Sequence, residues 1–286
     1  MKEPHWLVEE ADTLLPFLLA HARGYSRNNL KSLLTGRQVL VDGAPVTRHD
    51  FPLSPGQRVA LAPRRGKEAA LPFPILYEDE RLLAVDKPAG LLAVANEAER
   101  LNTAYRQVTA YVRDGHPGNR VFIVHRLDRD TSGVLLFAKD PEMKAALQGA
   151  WERIVRQRSY LAVVEGAPPQ EAGTVRSFLR ETRTHLVYEA PAGKEAVTSY
   201  RVLRRGRGYS LLAVEIHTGR KNQIRVHMSG MGCPVAGDKQ YGARTSPLGR
   251  LCLHADTLTL DHPFTGQLLT LHAPAPKGFV RLCAKG

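Results

Sequence analysis

Nine residues, His125-Arg126-Leu127-Asp128-Arg129-Asp130-Thr131-Ser132-Gly133, separate two apolar runs, Val121–Val124 and Val134–Ala138. Short apolar runs on either side of a polar turn read as buried strands, so this region commits the chain to a sheet with a charged connection. The connection carries two carboxylates, two guanidiniums, an imidazole and two hydroxyls, far more reactive chemistry than a turn requires. A carboxylate in such a place can act as a nucleophile if a cation holds it ionised and nearby donors aim it. Asp128 and Asp130 both qualify, and spacing alone does not choose between them. The plain alternative is an ion-paired turn that only ties two strands together.

Charge points to the partner. Lys and Arg total 40 against 28 Asp and Glu, for a formal net charge of +12 and a pI near 9.8. That excess favours a polyanion, nucleic acid first. A basic membrane-surface protein would need a Lys-rich amphipathic helix or a lipidation motif, and the sequence has neither. No apolar stretch approaches the length of a membrane span, and Met1–Trp6 does not lead into the apolar core of a signal peptide. Cys233, Cys252 and Cys283 form no C-x-x-C pair, and no His or carboxylate spacing suits a metal. The expectations are a cytoplasmic monomer with no membrane partner, no metal and no cofactor.

An apolar content of 43% over 286 residues supports about two packed domains. The first is read over residues 1–65. Thr13–His21 has a short apolar helix pattern, and Ser26 is a good N-cap for a second helix, Arg27–Leu34, closed by Gly36. Val39–Val41, the tight turn Asp42-Gly43, Pro45–Thr47 and Arg58–Ala62 read as a small hairpin sheet. Residues 66–74 are rich in Pro, Gly and charge and read as a linker. Residues 75–286 form the second domain. There Ile75–Tyr77, Leu82–Asp86, Tyr160–Glu165, Ser199–Leu203, Leu211–Ile216 and Leu251–Leu260 are strand-like. Helices are expected over Thr103–Val112, from an N-cap at Asp140 to about Arg156, and over Asn222–Ser229. Many strands and few helices, not in strict alternation, argue an α+β fold. Its catalytic domain has a central, largely antiparallel mixed sheet and a cleft, and a small α/β domain precedes it.

The pattern His125-Arg126-Leu127-Asp128, followed by Thr131-Ser132-Gly133, resembles the active-site motif of RluA-type RNA pseudouridine synthases. The resemblance selects Asp128 over Asp130 as the catalytic carboxylate, either attacking carbon 1′ of the ribose or removing the 2′ proton. Gly219–His227 resembles the family's third motif. It implies Arg225 as the cation paired with that carboxylate and Ile224 as the apolar residue beneath the base. A buried Arg stays protonated and can hold a carboxylate bidentately. Tyr160 matches the family's Tyr that stacks on the flipped base. Arg126 matches its Arg that enters the RNA helix as the base leaves, and His125 is grouped with these RNA-contacting residues. Asp86-Lys87-Pro88-Ala89-Gly90-Leu91 resembles the first motif, with a structural role implied. Gly232–Asp238, Tyr241-Gly242, Leu253-His254-Ala255 and His262–Gly266 extend the match toward Pro276. After Leu92 the chain reads Ala93-Val94-Ala95-Asn96 where many relatives have a Pro or His, a departure that bears on RNA specificity. Nearer the start, Ser26–Leu34 followed by Gly36, Arg37, Val39, Val41, Asp42 and Gly43 resembles the ribosomal protein S-four type of RNA-binding domain. That resemblance implies RNA contacts from Arg23, Arg27, Lys31 and Arg37.

The implied reaction detaches uracil from its sugar, rotates it and reattaches it through carbon 5. It needs no redox partner, and the sequence has neither a dinucleotide fingerprint nor a P-loop. Large-subunit ribosomal RNA is the expected substrate, with transfer RNA the alternative. A catalytically silent RNA-binding or ribosome-assembly factor would not need Asp128, Tyr160 and Arg225 together. An RNA methyltransferase would need a glycine-rich cofactor loop after a strand, and none is found.

Overall fold

The computed structural model describes residues 5–35, 38–61, 71–97, 99–115 and 118–284. The chain divides into two compact units, one drawn from Met1–Ala70 and Thr109–Arg120, the other from Leu71–Val108 and Val121–Gly286. Gly36, Arg37 and the part of the expected linker before Leu71 lie outside the described residues.

The smaller unit contains strands β1 (His5–Leu7), β2 (Asp12–Thr13), β3 (Val39–Val41), β4 (Ala44–Pro45), β5 (Pro52–Leu53) and β6 (Arg58–Leu61), with helices α1 (Leu14–His21) and α2 (Arg27–Thr35). Ser26 Oγ accepts a hydrogen bond from Asn29 N at 3.2 Å, which starts α2 where the side chain can cap it. Asp42 and Gly43 have φ of 49° and 82°, the left-handed pair that a two-residue hairpin turn needs to match strand twist. Val41 and Ala44 pair across it. The sheet order is β1-β6-β3-β4. Leu14, Leu18, Leu30 and Leu34 recur at helical spacing and are buried in one cluster with Val39, Val41 and Val59. Truncating one of these leucines to Ala costs about 2–5 kcal/mol. Arg23, Arg27 and Lys31 are exposed, the last two one turn apart on α2.

The larger unit is built on an 11-stranded sheet. Its strands are β7 (Ile75–Glu78), β8 (Leu82–Lys87), β9 (Phe122–Ile123), β10 (Ser132–Ala138), β11 (Val155–Glu165), β12 (Ala172–Glu181), β13 (Val187–Ala190), β14 (Lys194–Arg205), β15 (Tyr209–Ile216), β16 (Leu253–Asp261) and β17 (Leu268–His272). Its helices are α4 (Pro141–Gly149), α5 (Trp151–Ile154), α6 (Gln223–Gly230) and α7 (Lys277–Leu282), with a 3-10 turn at Lys239–Tyr241, and α3 (Ala104–Gly115) is divided between the two units at Thr109. The strand order is β13-β12-β14-β15-β11-β16-β10-β8-β7, with β17 on β16 and β9 on β10. Among the described strands all pairs run antiparallel except β10 and β16, where Ser132 lies opposite His254 and Gly133 opposite Ala255. This is the mixed, largely antiparallel sheet of an α+β fold.

Every residue of β10 is buried, as a strand reading as a continuous apolar run should be. Its parallel contact with β16 depends on Gly133. With φ of 112°, that residue lies so close to β16 that a Cβ would run into the Ala255 carbonyl. The contact sets the start of β10, and the reactive loop before it, against β16.

The helix expected from Asp140 to about Arg156 is shorter. Asp140 does cap α4, its Oδ1 accepting from Met143 N at 2.8 Å. The helix ends at Gly149, and Ala150 departs from helical geometry with φ −137°. After the single turn of α5, Val155 opens β11 opposite Leu260. Pairing with β16 across a long sequence separation overrides local helix propensity here. Strands β12 and β13 lie in a segment whose sequence pattern carries no clear strand signal.

Candidate active site

A cleft of about 410 Å³ lies between the loop before β10, strand β11, the end of β15 and the start of α6. Its size suits a nucleoside-sized ligand. Asp128, Arg225, Tyr160, Arg126, Ile224 and His125 all line it, together with Arg158, Arg220 and Lys221. Asp130 is exposed and is not among the lining residues. Arg23, Arg27 and Lys31 belong to the smaller unit. Among the described residues no group of His, Cys, Asp or Glu is placed to hold a metal ion, and no helix is long and apolar enough to cross a membrane.

The loop that presents Asp128 is held from beneath. Thr131 N donates to Asp128 O at 3.2 Å, closing a turn. Lys87 is fully buried, and its Nζ donates to the carbonyls of Pro88, Leu91 and Arg129 at 2.9, 2.8 and 3.0 Å. Burial pulls this ammonium down to about 8, with Asp130, Asp128 and Asp86 opposing the shift. Three carbonyls are thus tied to one side chain, and Arg129 O belongs to the residue next to Asp128. On the other side of the loop, Arg250 Nη2 donates to Ser132 Oγ at 2.7 Å. Ser132 Oγ pairs with His254 Nδ1 at 2.8 Å, and His254 Nε2 reaches Ala273 O at 3.2 Å. Burial favours the neutral His254 ring, and in that form Nε2 donates to Ala273 O and Nδ1 accepts from Ser132 Oγ.

Asp128 is enclosed by protein on most sides, yet 30% of its side chain is open to the cleft. Burial pushes its carboxyl above the usual range, against the pull of Arg225, Arg126, Lys221 and Lys87. Arg225 Nη1 lies 4.0 Å from Asp128 Oδ2. Its tighter partner is Asp238, whose Oδ2 accepts from Nε at 2.6 Å and Oδ1 from Nη2 at 2.7 Å. Nη1 also donates to Asn222 Oδ1 at 3.0 Å, and the guanidinium lies 4.8 Å from the Tyr241 ring centre. Burial opposes the charge on Arg225, but Asp238 and Asp128 more than restore it, so the guanidinium stays protonated.

The start of α6 is anchored by Gln223. Its Oε1 accepts from Thr218 Oγ1 and Arg220 N, and its Nε2 donates to Val197 O and Thr198 Oγ1. A buried amide satisfied at both ends fixes this segment to β14. Gly237 has φ of 85°, and a Cβ there would collide with the Arg250 carbonyl. The absence of a side chain lets the loop pack close and delivers Asp238 to Arg225.

Tyr160 sits on β11 opposite Val214 and Ala255. Burial pushes its hydroxyl up to about 12, with Arg158 opposing and Asp128 adding to the rise. It stays protonated across the neutral range. Ile224 is 5% exposed and offers the cleft an apolar surface. Arg158 reaches the carbonyl of His217 at 2.9 Å. Nothing in the sequence alone assigns a role to Asp238, Arg158 or Arg250. Asp238 stands in a matched stretch, Gly232–Asp238, but its partner lies 13 positions away on another element.

Comparison with known proteins agrees with this geometry. Residues 81–230 match the family described as RNA pseudouridylate synthase. The chain is 35% identical over 213 residues to an RNA pseudouridine synthase of Bacillus subtilis (strain 168), covering 73% of this chain and 70% of the relative. It is 32% identical over 280 residues to the ribosomal large subunit pseudouridine synthase D of Escherichia coli O6:H1, covering 90% of this chain and 85% of the relative. Among solved structures, human RNA pseudouridylate synthase domain containing 1 superposes with a TM-score of 0.59 at 27% identity, over 74% of this chain and 86% of that one. The family match takes in every cleft-lining residue except Leu253, and with relatives aligned along most of its length the chain belongs to the RNA pseudouridine synthase family, RluA type.

Proposed function

We propose that the cleft isomerises uridines of large-subunit ribosomal RNA, with Asp128 as the reacting carboxylate. The observation that carries the assignment is Asp128 itself. It is open to the cleft, with the Arg225 guanidinium 4.0 Å away and Tyr160 lining the same cleft. Two routes suit this geometry. In one, an Asp128 oxygen bonds to carbon 1′ as the bond to uracil N1 breaks. After rotation, carbon 5 attacks carbon 1′ and the carboxylate leaves. In the other, the carboxylate takes the 2′ proton as uracil departs, leaving a carbon 1′–carbon 2′ double bond, and returns it to carbon 2′ as carbon 5 bonds to carbon 1′. Both end with loss of the carbon 5 proton and neither changes oxidation state. Arg225 keeps the carboxylate ionised. Tyr160 stacks on the base and Ile224 packs beneath it. Arg126 enters the RNA as the base leaves. His125 completes the contacts, and the remaining cleft cations meet phosphates.

Residues 1–65 act as an RNA-binding domain of the ribosomal protein S-four type through Arg23, Arg27, Lys31 and Arg37. Residues 66–74 link it to the catalytic domain, residues 75–286. Relatives named for large-subunit ribosomal RNA align over nine-tenths of the chain, which favours that substrate over transfer RNA. The protein acts in this reading as a cytoplasmic monomer. The test is to map pseudouridines in RNA from cells with and without the gene, and to measure tritium release from carbon 5 of labelled uridine in both RNA classes. Sites lost only from transfer RNA would move the substrate to that class.

A further inference from the structure

Strand β9 covers the edge of β10 at Phe137 and Ala138, through Ile123 and Phe122. At the next position the ladder stops, and Leu136 N donates instead to His125 Nε2 at 2.9 Å. A backbone amide can only donate, so the ring nitrogen facing it must carry a lone pair. The imidazole proton therefore sits on Nδ1. Trp151 stands beside the ring, with centroids 5.2 Å apart. Among the described residues Gln107 Oε1 is the one buried side-chain oxygen or nitrogen left without a partner. His125 Nδ1 has no hydrogen-bond partner among them either, and His125 lines the cleft.

We propose that His125 is locked as the neutral Nδ1–H imidazole and donates that hydrogen bond to a carbonyl oxygen of the uracil. The base contact rests on the uridine reading above; the lock does not. The anionic groups of RNA have Arg126, Arg158, Arg220 and Lys221 to meet them in the same cleft. A neutral donor suits a neutral acceptor, and uracil has two carbonyl oxygens. The ring cannot become an acceptor at Nδ1 without stranding the Leu136 N–H. Where the contact is to the carbon 4 oxygen, the ring rejects cytosine, which offers an amine there. Nor does it carry protons near neutrality. Burial pushes the imidazole down to about 4, and Arg158 on β11 adds to the shift. Asp128 and Glu152 line the same cleft without reversing it.

Two measurements test this. Nitrogen-15 spectra of the full chain should show His125 protonated at Nδ1 and bare at Nε2, with no titration from about pH 5 to 9. An Nε2–H tautomer, or a midpoint near the usual ~6.5, overturns the lock whatever the substrate. His125→Gln can place its amide oxygen within reach of Leu136 N–H, and its own N–H donors no longer sit at the Nδ1 position. Its kcat/KM on uridine RNA should fall about tenfold. The penalty that the native protein shows on 2-thiouridine or 4-thiouridine RNA should disappear in the variant. Equal thio penalties in both proteins for both analogues overturn the base contact. Failure of the native protein to form pseudouridine at all would overturn the functional reading instead. If His125→Gln does not fold, His125→Asn, which keeps a donor near the Nδ1 position, should retain the native thio penalty, and its loss overturns the contact.

Discussion

Asp238 grips Arg225 through two hydrogen bonds, 2.6 Å to Nε and 2.7 Å to Nη2, and leaves Nη1 facing Asp128 at 4.0 Å. The firm ion pair is therefore the one behind the site. Asp238 is 1% exposed, against 30% for Asp128. Two parallel bonds fix the plane of the guanidinium before substrate arrives, so Arg225 stabilises the charge on Asp128 by position rather than by contact. Among the described residues the Asp128 carboxylate has that one ion pair, with Arg225, and it opens on the cleft.

Arg225→Met should unpair a buried carboxylate and destabilise the fold by about 3–5 kcal/mol. Asp238→Asn should be milder, because the amide keeps an acceptor for the guanidinium. It should lower kcat more than it changes KM, since the loosened Arg225 no longer holds its distance to Asp128. Thermal unfolding and tritium-release kinetics on both variants check this. A fully stable Arg225→Met protein would show that the clasp does not support the fold.

Asp128→Asn should abolish isomerisation without loss of stability. The folded carboxyl lies above its ordinary pKa, so the native state binds that proton more tightly than the unfolded chain. Its stabilising contribution is full below the unfolded value and is lost as pH rises through the folded one. At neutral pH the charge works against folding, and its removal should leave the melting temperature unchanged or raised. In the native protein, turnover should fall as pH drops through a midpoint above the usual carboxylate value of ~3.9. A pH–rate profile and a melting curve measure both effects. Residual turnover near the native rate would return Asp130 to candidacy.

How much of this site was legible in the sequence depended on how local each signal is. The polar loop before β10, the Ser26 cap and the Asp42-Gly43 turn are set by neighbouring residues, and the chain announces them. Position 128 was distinguishable from 130 only through a resemblance. The structure separates them by exposure and cleft lining. Lys87 was readable as part of a Lys-Pro turn, but not as the tie to Arg129 O, which lies 42 positions away. The Asp238–Arg225 clasp and the Leu136–His125 bond are likewise tertiary. Val155 and Arg156 fell within the helix expected from Asp140 yet joined β11, because the partner strand β16 lies far along the chain.

Tyr160→Phe should keep most of the RNA affinity, since the ring face survives and stacking on a base is worth about 1–3 kcal/mol. The hydroxyl, raised to about 12, is not a base at neutral pH, so no inflection near neutrality should vanish with it. Any loss should appear in kcat through hydrogen bonding by the protonated oxygen. Equilibrium binding together with single-turnover kinetics separates the two. Full turnover would confine Tyr160 to packing and stacking.

Replacing Arg23, Arg27 and Lys31 together with Gln should weaken RNA binding and flatten its salt dependence while sparing the chemistry. All three side chains are exposed, and Arg27 and Lys31 lie one turn apart on α2, so two of the charges can follow one stretch of phosphates. Surface changes of this kind alter stability by about 0.5 kcal/mol or less. Each phosphate that a cation no longer neutralises keeps somewhat less than one counterion, so the slope of log affinity against log salt should become shallower by about 2. Turnover on a short, unstacked RNA should hardly change, because an already accessible base needs little help from a separate binding surface. Turnover on the structured RNA should fall, most of all at higher salt. Affinity and rate measured at several salt concentrations for both substrates decide the matter. An unchanged slope on structured RNA would remove these three side chains from the RNA interface and leave the smaller unit with a stabilising or protein-docking role.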